Sequence, residues 1–488
     1  MRLLDLIVGL PDARLIGSGE VQVERLTYRA DWVEVGSLFA AFRGVRADGH
    51  DFAADAVSLG ASALIVEREL DLPIAQVVVS DARLAAALVA ATLAGNPSKT
   101  MTVVGITGTN GKTTSANLVR AVLAAAGRQC ALVGTIETCI GGRVEPAEHT
   151  TPESIDLQEM MARMVRSGDR ALAIEVSSHA LVQRRVAGVH FAAALFTNLT
   201  RDHLDYHGTF EAYEAAKRGL FLRPAGEGTN PPGAANMDDP AGRRLVADAS
   251  LIGYAVDADA DVRPRRLDLT PTGFRAEVAT PRGLLEIASL LRGRFNVSNV
   301  LGVVAVGEAL GLDHESVAAG IATVAGVPGR MEPVDAGQPF SVIVDYAHTP
   351  DSLENVLRTA RELAAGNRLL VVFGCGGDRD TGKRPQMGAI ASALADLTVV
   401  TSDNPRSEDP DAIIAAIVAG ASGGGEVRVE PDRRAAIALG AALAIQGDVL
   451  VIAGKGHERG QDQGGVVTPF DDREVARAVI DGRVGATS

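Results

Sequence analysis

The sequence predicts an α/β protein of three domains with mostly parallel sheets. Three observations support this. The chain has 488 residues, and a domain usually takes about 100–200, which gives roughly three. Short apolar runs alternate with helical patterns, and many of these runs are apolar on both faces, as strands covered by helices must be. Two clusters of breakers, Asn96-Pro97-Ser98 and Gly326-Val327-Pro328-Gly329, punctuate the chain.

The first segment, 1–98, opens with MRLLDLIVGLPDARL. Its apolar run is short, contains Asp5 and lacks a small-residue cleavage pattern. It reads as a helix that caps a domain rather than as a signal peptide. Four β-like runs follow (VQVERLTY, GSLFAAF, ALIVE, QVVVS), then an alanine-rich helix, ARLAAALVAATLAG. The second segment, 99–326, starts with MTVVGITGT, and 102–109, 131–135, 171–177 and 193–199 read as buried parallel strands. A polar, Pro/Gly-rich stretch interrupts it at 223–233, and GRFNVSNVLGVVAVGEALG leads into a helix. The third segment, 327–488, renews the pattern with SVIVDYA, RLLVVFG, DLTVVTSD and DVLVIAGKG. There is no internal repeat, and no low-complexity tail beyond a few C-terminal residues.

Composition excludes several classes. Lys and Arg number 47 against 61 Asp and Glu, a formal net charge of −14. That argues against a general nucleic-acid or membrane-surface binder, so an anionic ligand needs a local, organised site. No run approaches the ~18 apolar residues of a membrane span. Cys130, Cys139 and Cys375 are too few and too scattered for a disulfide framework or a structural zinc site. Reduced thiols and a cytoplasmic location are expected.

The most informative local pattern is Gly108-Thr109-Asn110-Gly111-Lys112-Thr113-Thr114 between the strand TVVGIT and the helix SANLVRAVLAAAG. Glycines let backbone N–H groups converge on phosphate oxygens, and a helix N-terminus adds partial positive charge. Lys112 is placed to reach β/γ-phosphates and Thr113 to ligate Mg²⁺. The general phosphate-loop spacing would put glycine at 106, where this chain has Ile106. A structural turn has little need for Gly-Lys-Thr-Thr at a strand–helix junction.

TGTNGKTT resembles the loop of the Mur ligase family, ATP-dependent amide ligases that build the peptidoglycan peptide on a UDP-linked sugar. Further matches follow in order: HTTPES at 149–154, EVSSHAL at 175–181, TNLTRDHLDYHG at 197–208 and the lysine of YEAAKRGLF. GRFNVSNVLG, VPGRME, DYAHTPDSLENVL, FGCGGDRDTGKRP, DNPRSEDP and GKGHE continue the series, so the likeness spans about 20 to 475. It is strongest to the ligases that add a diamino acid to UDP-N-acetylmuramoyl-L-alanyl-D-glutamate. It implies a small N-terminal UDP-substrate-binding domain (1–98), a central P-loop ATP-binding domain (99–326) and a C-terminal Rossmann-like amino-acid-binding domain (327–488).

The resemblance also implies roles. Such an enzyme converts a carboxylate into an acyl phosphate that an amine attacks, so its first half is phosphoryl transfer, governed by positioning and charge neutralisation. Lys112, Glu175, His203 and Lys217 are the expected catalytic residues. Thr113, Glu175, His203 and a carbamylated Lys217 would hold Mg²⁺. Carbamylation replaces an ammonium with an anion and so reverses the local charge. Gly108 to Thr114, with Asn296, Asn299, Arg330 and Asp345, would bind ATP between two domains, whose closure excludes water.

Tyr28, His149, Thr150, Thr151, Ser177, Gln183 and Arg185 correspond to the UDP-muramoyl-dipeptide site. There are two departures: Thr27-Tyr28-Arg29 stands where the family has Asp-Ser-Arg, and His149 stands where it has Asn. Arg379, Asp403, Asn404, Pro405, Arg406, Gly454 and Glu458 correspond to the amine site. Asp-Asn-Pro-Arg resembles the signature of ligases adding meso-diaminopimelate, whose distal carboxylate Arg406 can hold bidentately. Glu458 suits the distal ammonium. Lysine or ornithine as the added amino acid, a folylpolyglutamate-synthetase-like ligase, and a non-catalytic nucleotide-sugar binder are the competing readings. Intact Lys112, Glu175 and Lys217 argue against the last. No nucleic acid, membrane or obligate protein partner is implied.

Overall fold

The structure, a computed structural model, describes residues 1–44, 47–224, 226–270 and 272–486. Position 225 of the polar stretch and the last two residues of the tail therefore lie outside the described residues. Three mostly parallel sheets follow one another along the chain, with smaller antiparallel additions.

The first sheet has five strands, ordered Arg14–Ile16, Ala75–Val78, Ala61–Val66, Ser37–Ala40 and Arg25–Thr27. The expected N-terminal helix covers only Leu3–Ile7. Gly9 and Asp12 then take positive φ, and the chain turns into the strand Arg14–Ile16, which pairs antiparallel with Ala75–Val78. Leu3, Leu6 and Ile7 still cap the core, packing with Leu38, Ile65 and Val77.

The central sheet has eight strands. Thr102–Thr107, which feeds the phosphate loop, lies in its middle between Ala193–Phe196 and Ala171–Glu175, parallel to both. Cys130–Val133 continues the parallel set. All four strands expected from their apolar faces are present, and their side chains are buried except that of Thr102 at one end. Separate cores cover the two faces: Leu118 and Val122 with Val300 and Val304 on one, Leu157 and Met161 with Phe221 on the other. At one edge, Glu137–Ile140 and Arg143–Pro146 add antiparallel strands. A separate antiparallel sheet, Arg263–Thr270, Gly273–Thr280 and Gly283–Ser289, has no counterpart in the sequence reading. Its buried Phe274, Ala276, Val278, Leu285 and Ile287 join the core under the helix Arg294–Ala309.

The third sheet orders six strands as Glu332–Pro333, Ser341–Asp345, Val449–Ala453, Leu369–Phe373, Leu397–Val400 and Glu426–Val429. A buried ion pair locks its helices. Arg433, at the start of Arg433–Leu443, donates from Nε and Nη2 to the two carboxylate oxygens of Asp472 at 2.8 and 2.7 Å, and both side chains are fully buried. Asp472→Ala would leave a buried guanidinium without its counter-ion. A loss of about 3–5 kcal/mol is expected, read as a lower urea midpoint.

Candidate active site

In open α/β sheets, ligands bind beyond the carboxyl ends of the parallel strands. The expected residues of the central sheet converge there. Gly108 and Gly111 both have positive φ. A Cβ on Gly108 would collide with Thr197 Oγ1, and one on Gly111 with Asn299 Oδ1, so neither position tolerates a side chain. The helix Lys112–Ala125 begins at this turn. Lys112 Nζ donates to the carbonyls of Gly108 (2.9 Å) and Thr109 (2.8 Å). Burial holds its pKa below the ordinary lysine range, while Glu175 and Asp202 oppose that shift.

Glu175 ends its strand and is buried. One carboxylate oxygen accepts from Thr135 N (2.8 Å); the other accepts from Thr113 Oγ1 (3.0 Å) and Thr135 Oγ1 (3.1 Å). A hydroxyl and a carboxylate 3.0 Å apart beside a phosphate loop are hard oxygen donors of the kind Mg²⁺ takes. Among the described residues no group of three or more His, Cys, Asp or Glu gathers as a metal cage. The Thr113 hydroxyl and the Glu175 carboxylate fit an ion whose other oxygen ligands come from phosphates.

Lys217, on the helix Phe210–Arg218, is also buried and donates to Gly108 O at 2.7 Å. Two lysines thus converge on one carbonyl. Burial, reinforced by Lys112, drives the Lys217 pKa well below its ordinary value. A lysine held neutral is a nucleophilic amine. His203 takes a left-handed φ of 52°, uncommon for a non-glycine residue although histidine enters that region more readily than most. Its Nε2 lies 3.2 Å from Asp202 Oδ2. Asp202, which the sequence reading quoted within its motif but gave no role, also lies 4.0 Å from His348 Nε2 of the third domain.

A cavity of about 480 Å³ opens beside the loop, lined by Gly111, Thr113, Asn299, Arg330, Asp345 and Asn355 among others. Asn296 lies one turn from Asn299, which donates to it at 3.0 Å. Arg330 donates to Thr113 Oγ1 (3.3 Å) across the domain junction and lies 4.6 Å over the Tyr346 ring. Asp345 accepts from the backbone of Met331 (2.7 Å) and Ala347 (2.8 Å), so it shapes the wall of the cavity. Asn110 donates to Asp351 (2.7 Å), and Arg201 pairs with Asp380 (2.9 Å). These contacts join the central and third domains around the cavity.

Thr150, Thr151, Ser177, Gln183 and Arg185 form a connected group. Thr150 Oγ1 lies 3.1 Å from Thr135 Oγ1, and Thr151 Oγ1 donates to Glu175 O (2.8 Å) and accepts from Ser177 N (3.1 Å). Arg185 binds Gln183 Oε1, Thr151 O and Glu153. Tyr28 and His149 stand apart from this group. Tyr28 donates to Asp156 Oδ2 (3.0 Å) and lines a separate cavity of about 520 Å³ with Trp32. His149 is exposed.

A wider cleft of about 790 Å³ lies between the edge strands 137–146 and the third domain. Asn404, Arg406 and Glu458 line it. Arg406 has a left-handed φ of 52° and donates one N–H to Gly377 O (2.7 Å). Asp403, Pro405 and Gly454 do not line the cleft. Asp403 is buried behind it, against Gly454. Arg379 is exposed and donates to Asp378 O. Lys455, to which the sequence alone assigns no role, is fully buried and donates to Asp403, Asn404 and Glu458. The lysine of GKGHE was its only signal.

Three family profiles match in chain order: "Mur ligase family, catalytic domain" over 22–103, "Mur ligase middle domain" over 106–307 and "Mur ligase, glutamate ligase domain" over 329–456. The chain is 44% identical over 487 residues to the UDP-N-acetylmuramoyl-L-alanyl-D-glutamate–2,6-diaminopimelate ligase of Geobacillus kaustophilus, covering 98% of this chain and 99% of that one. It is 46% identical over 504 residues to the ligase of the same name from Geobacter metallireducens, covering 98% of each chain. A solved structure of a ligase of that name superposes with a TM-score of 0.70 at 32% identity, covering 99% of both chains. Sequence likeness along nearly its whole length and a shared fold agree: the chain belongs to the Mur ligase family.

Proposed function

We propose that this protein adds meso-2,6-diaminopimelate to UDP-N-acetylmuramoyl-L-alanyl-D-glutamate at the expense of ATP, a step of peptidoglycan precursor synthesis. The observation that carries this reading is the meeting of Arg406, Asn404 and Glu458 in one cleft beside the phosphate-loop site. The names of the relatives support the same substrates.

In this reading the cavity beside Asn299 and Arg330 takes ATP, and the loop N–H groups with Lys112 hold its phosphates. Thr113, Glu175, His203 and a carbamylated Lys217 would hold Mg²⁺, which supplies charge neutralisation at the phosphates. Thr150, Thr151, Ser177, Gln183 and Arg185 orient the muramoyl dipeptide. Its carboxylate attacks the γ-phosphorus, an O–P bond forms, the bond to the β-phosphate oxygen breaks, and ADP leaves. The amine then attacks the acyl carbon, a C–N bond forms, phosphate leaves with the C–O electron pair, and the amine loses a proton. The contacts at Asn110 and Arg201 tie the central domain to the third, and closure of that junction would exclude water from the acyl phosphate. A cytoplasmic location accords with the three free, buried cysteines.

Arg406 tests the choice of amine. A bidentate, charge-assisted contact is worth roughly 1.5–3 kcal/mol, so Arg406→Ala should raise KM for diaminopimelate at least about tenfold. Wild type should use lysine far less well, because lysine leaves the guanidinium unpaired. The variant should narrow that gap mainly by losing diaminopimelate. The measurement is kcat/KM for diaminopimelate, lysine and ornithine on both proteins. A wild-type preference for lysine or ornithine would contradict the assignment of the amine.

A further inference from the structure

Behind the wall of the acceptor cleft lies a buried group of charges. Lys455 follows the strand Val449–Ala453 and is fully buried. Its ammonium has three N–H donors and meets three acceptors: Asn404 Oδ1 at 2.8 Å, Asp403 Oδ1 at 3.3 Å and Glu458 Oε2 at 3.3 Å. Lys455 does not line the cleft, whereas Asn404 and Glu458 do.

We infer that Lys455 is a positioning residue of the acceptor site, acting through Asn404 and Glu458 to present a donor and an ionised acceptor to the diamino acid. This rests on the ligase reading above. Geometry fixes the orientation of the Asn404 amide. An ammonium can only donate, and so can the Asp462 N–H that also reaches Asn404 Oδ1 at 3.0 Å. Both therefore fix Oδ1 inward. The Asn404 NH₂ must then point the other way, and one of its hydrogens goes to Glu458 Oε2 at 2.9 Å. Its second N–H remains for the cleft.

Electrostatics act in the same direction. The group contains three carboxylates, Asp403, Glu458 and Asp472, against two cations, Lys455 and Arg433. Lys455 is the cation bonded to Glu458, the carboxylate of this group that faces the cleft, where an arriving ammonium would meet it. Burial and the neighbouring Asp403 push the Glu458 pKa up, while Lys455 draws it back toward the ionised form. Without Lys455, two carboxylates would share a low-dielectric site and one would take up a proton. A protonated Glu458 pairs poorly with the ammonium of a substrate.

The test compares full-length wild type, K455M, K455R, E458Q and the double variant K455M/E458Q. Substrates are ATP, UDP-muramoyl dipeptide and meso-diaminopimelate. K455M should raise KM for diaminopimelate at least about tenfold while kcat stays within about threefold and KM for ATP within about twofold. K455R should recover most of the loss. Because the Asp462 N–H still holds Asn404 Oδ1 when Lys455 is removed, the loss runs mainly through Glu458, and the double variant should be no worse than E458Q by more than about twofold. That arm holds even if K455M alone folds poorly, since the double variant removes one charge of each sign. An unchanged KM for diaminopimelate in K455M, an equal rise in KM for ATP, or effects that multiply in the double variant would overturn the proposal. Absence of any ligation by wild type would overturn the ligase reading and this inference together.

Discussion

Lys112→Ala is expected to lower ligation by more than a hundredfold while the chain still folds. The lysine opens the helix Lys112–Ala125, and its ammonium meets loop carbonyls, not core side chains. Its removal therefore creates no cavity in the central core. What is lost is a charge-assisted contact to phosphate that strengthens as charge moves in the transition state. Such contacts are worth at least ~3 kcal/mol, and each ~1.4 kcal/mol is a factor of ten in rate. The check is single-turnover acyl-phosphate formation on purified protein, with circular dichroism to confirm folding. Near-normal turnover in the variant would contradict the phosphate-loop assignment.

Lys217→Ala should be nearly inactive, with a loss again of at least ~3 kcal/mol in transition-state stabilisation. Lys217 and Lys112 converge on the Gly108 carbonyl, and burial favours the neutral amine at Lys217. A neutral amine adds to CO₂, the new N–C bond forms as the nitrogen gives up a proton to solvent, and the resulting carbamate places an anion beside the Lys112 ammonium. If that anion is what catalysis needs, short carboxylic acids should restore part of the activity of Lys217→Ala. Mass spectrometry of the native protein under bicarbonate should show the added CO₂. A wild-type rate in the variant, or a bare amine in fully active protein, would contradict the carbamate.

The parallel core was legible because burial on both faces leaves a plain mark. Thr102–Thr107, Ala171–Glu175 and Ala193–Phe196 are short apolar runs bounded by turn residues. The three-stranded sheet over 263–289 was not legible. Only alternate residues such as Phe274, Ala276 and Val278 are buried, and Arg263–Thr270 shows mainly polar side chains to solvent. The N-terminal capping helix is present but short: it ends at Ile7, and the backbone turns at Gly9.

The site divides in the same way. Motif residues near one another in sequence, such as 108–114, were legible because one strand–turn–helix unit positions them. Asn110 and Asp351 are 241 positions apart, and only the packing of two domains brings them together. Asp202 and Lys455 were missed for a related reason. Each is defined by what it faces across the fold: Asp202 by His348, Lys455 by Asp403 and Asn404. Conversely, Asp403 and Gly454 stand behind the cleft, where adjacency in a motif gave no warning of depth.

In the proposed reaction one carboxylate is phosphorylated by ATP and then captured by an amine bound in the cleft at Arg406. Phosphate release by the purified protein tests it most directly, with ATP, UDP-N-acetylmuramoyl-L-alanyl-D-glutamate and meso-diaminopimelate present together and with each omitted in turn. Steady ADP and phosphate production is expected only with all three present, one phosphate per tripeptide product formed. Phosphate release that does not depend on the muramoyl dipeptide, or that proceeds at full rate without any amine, would contradict it.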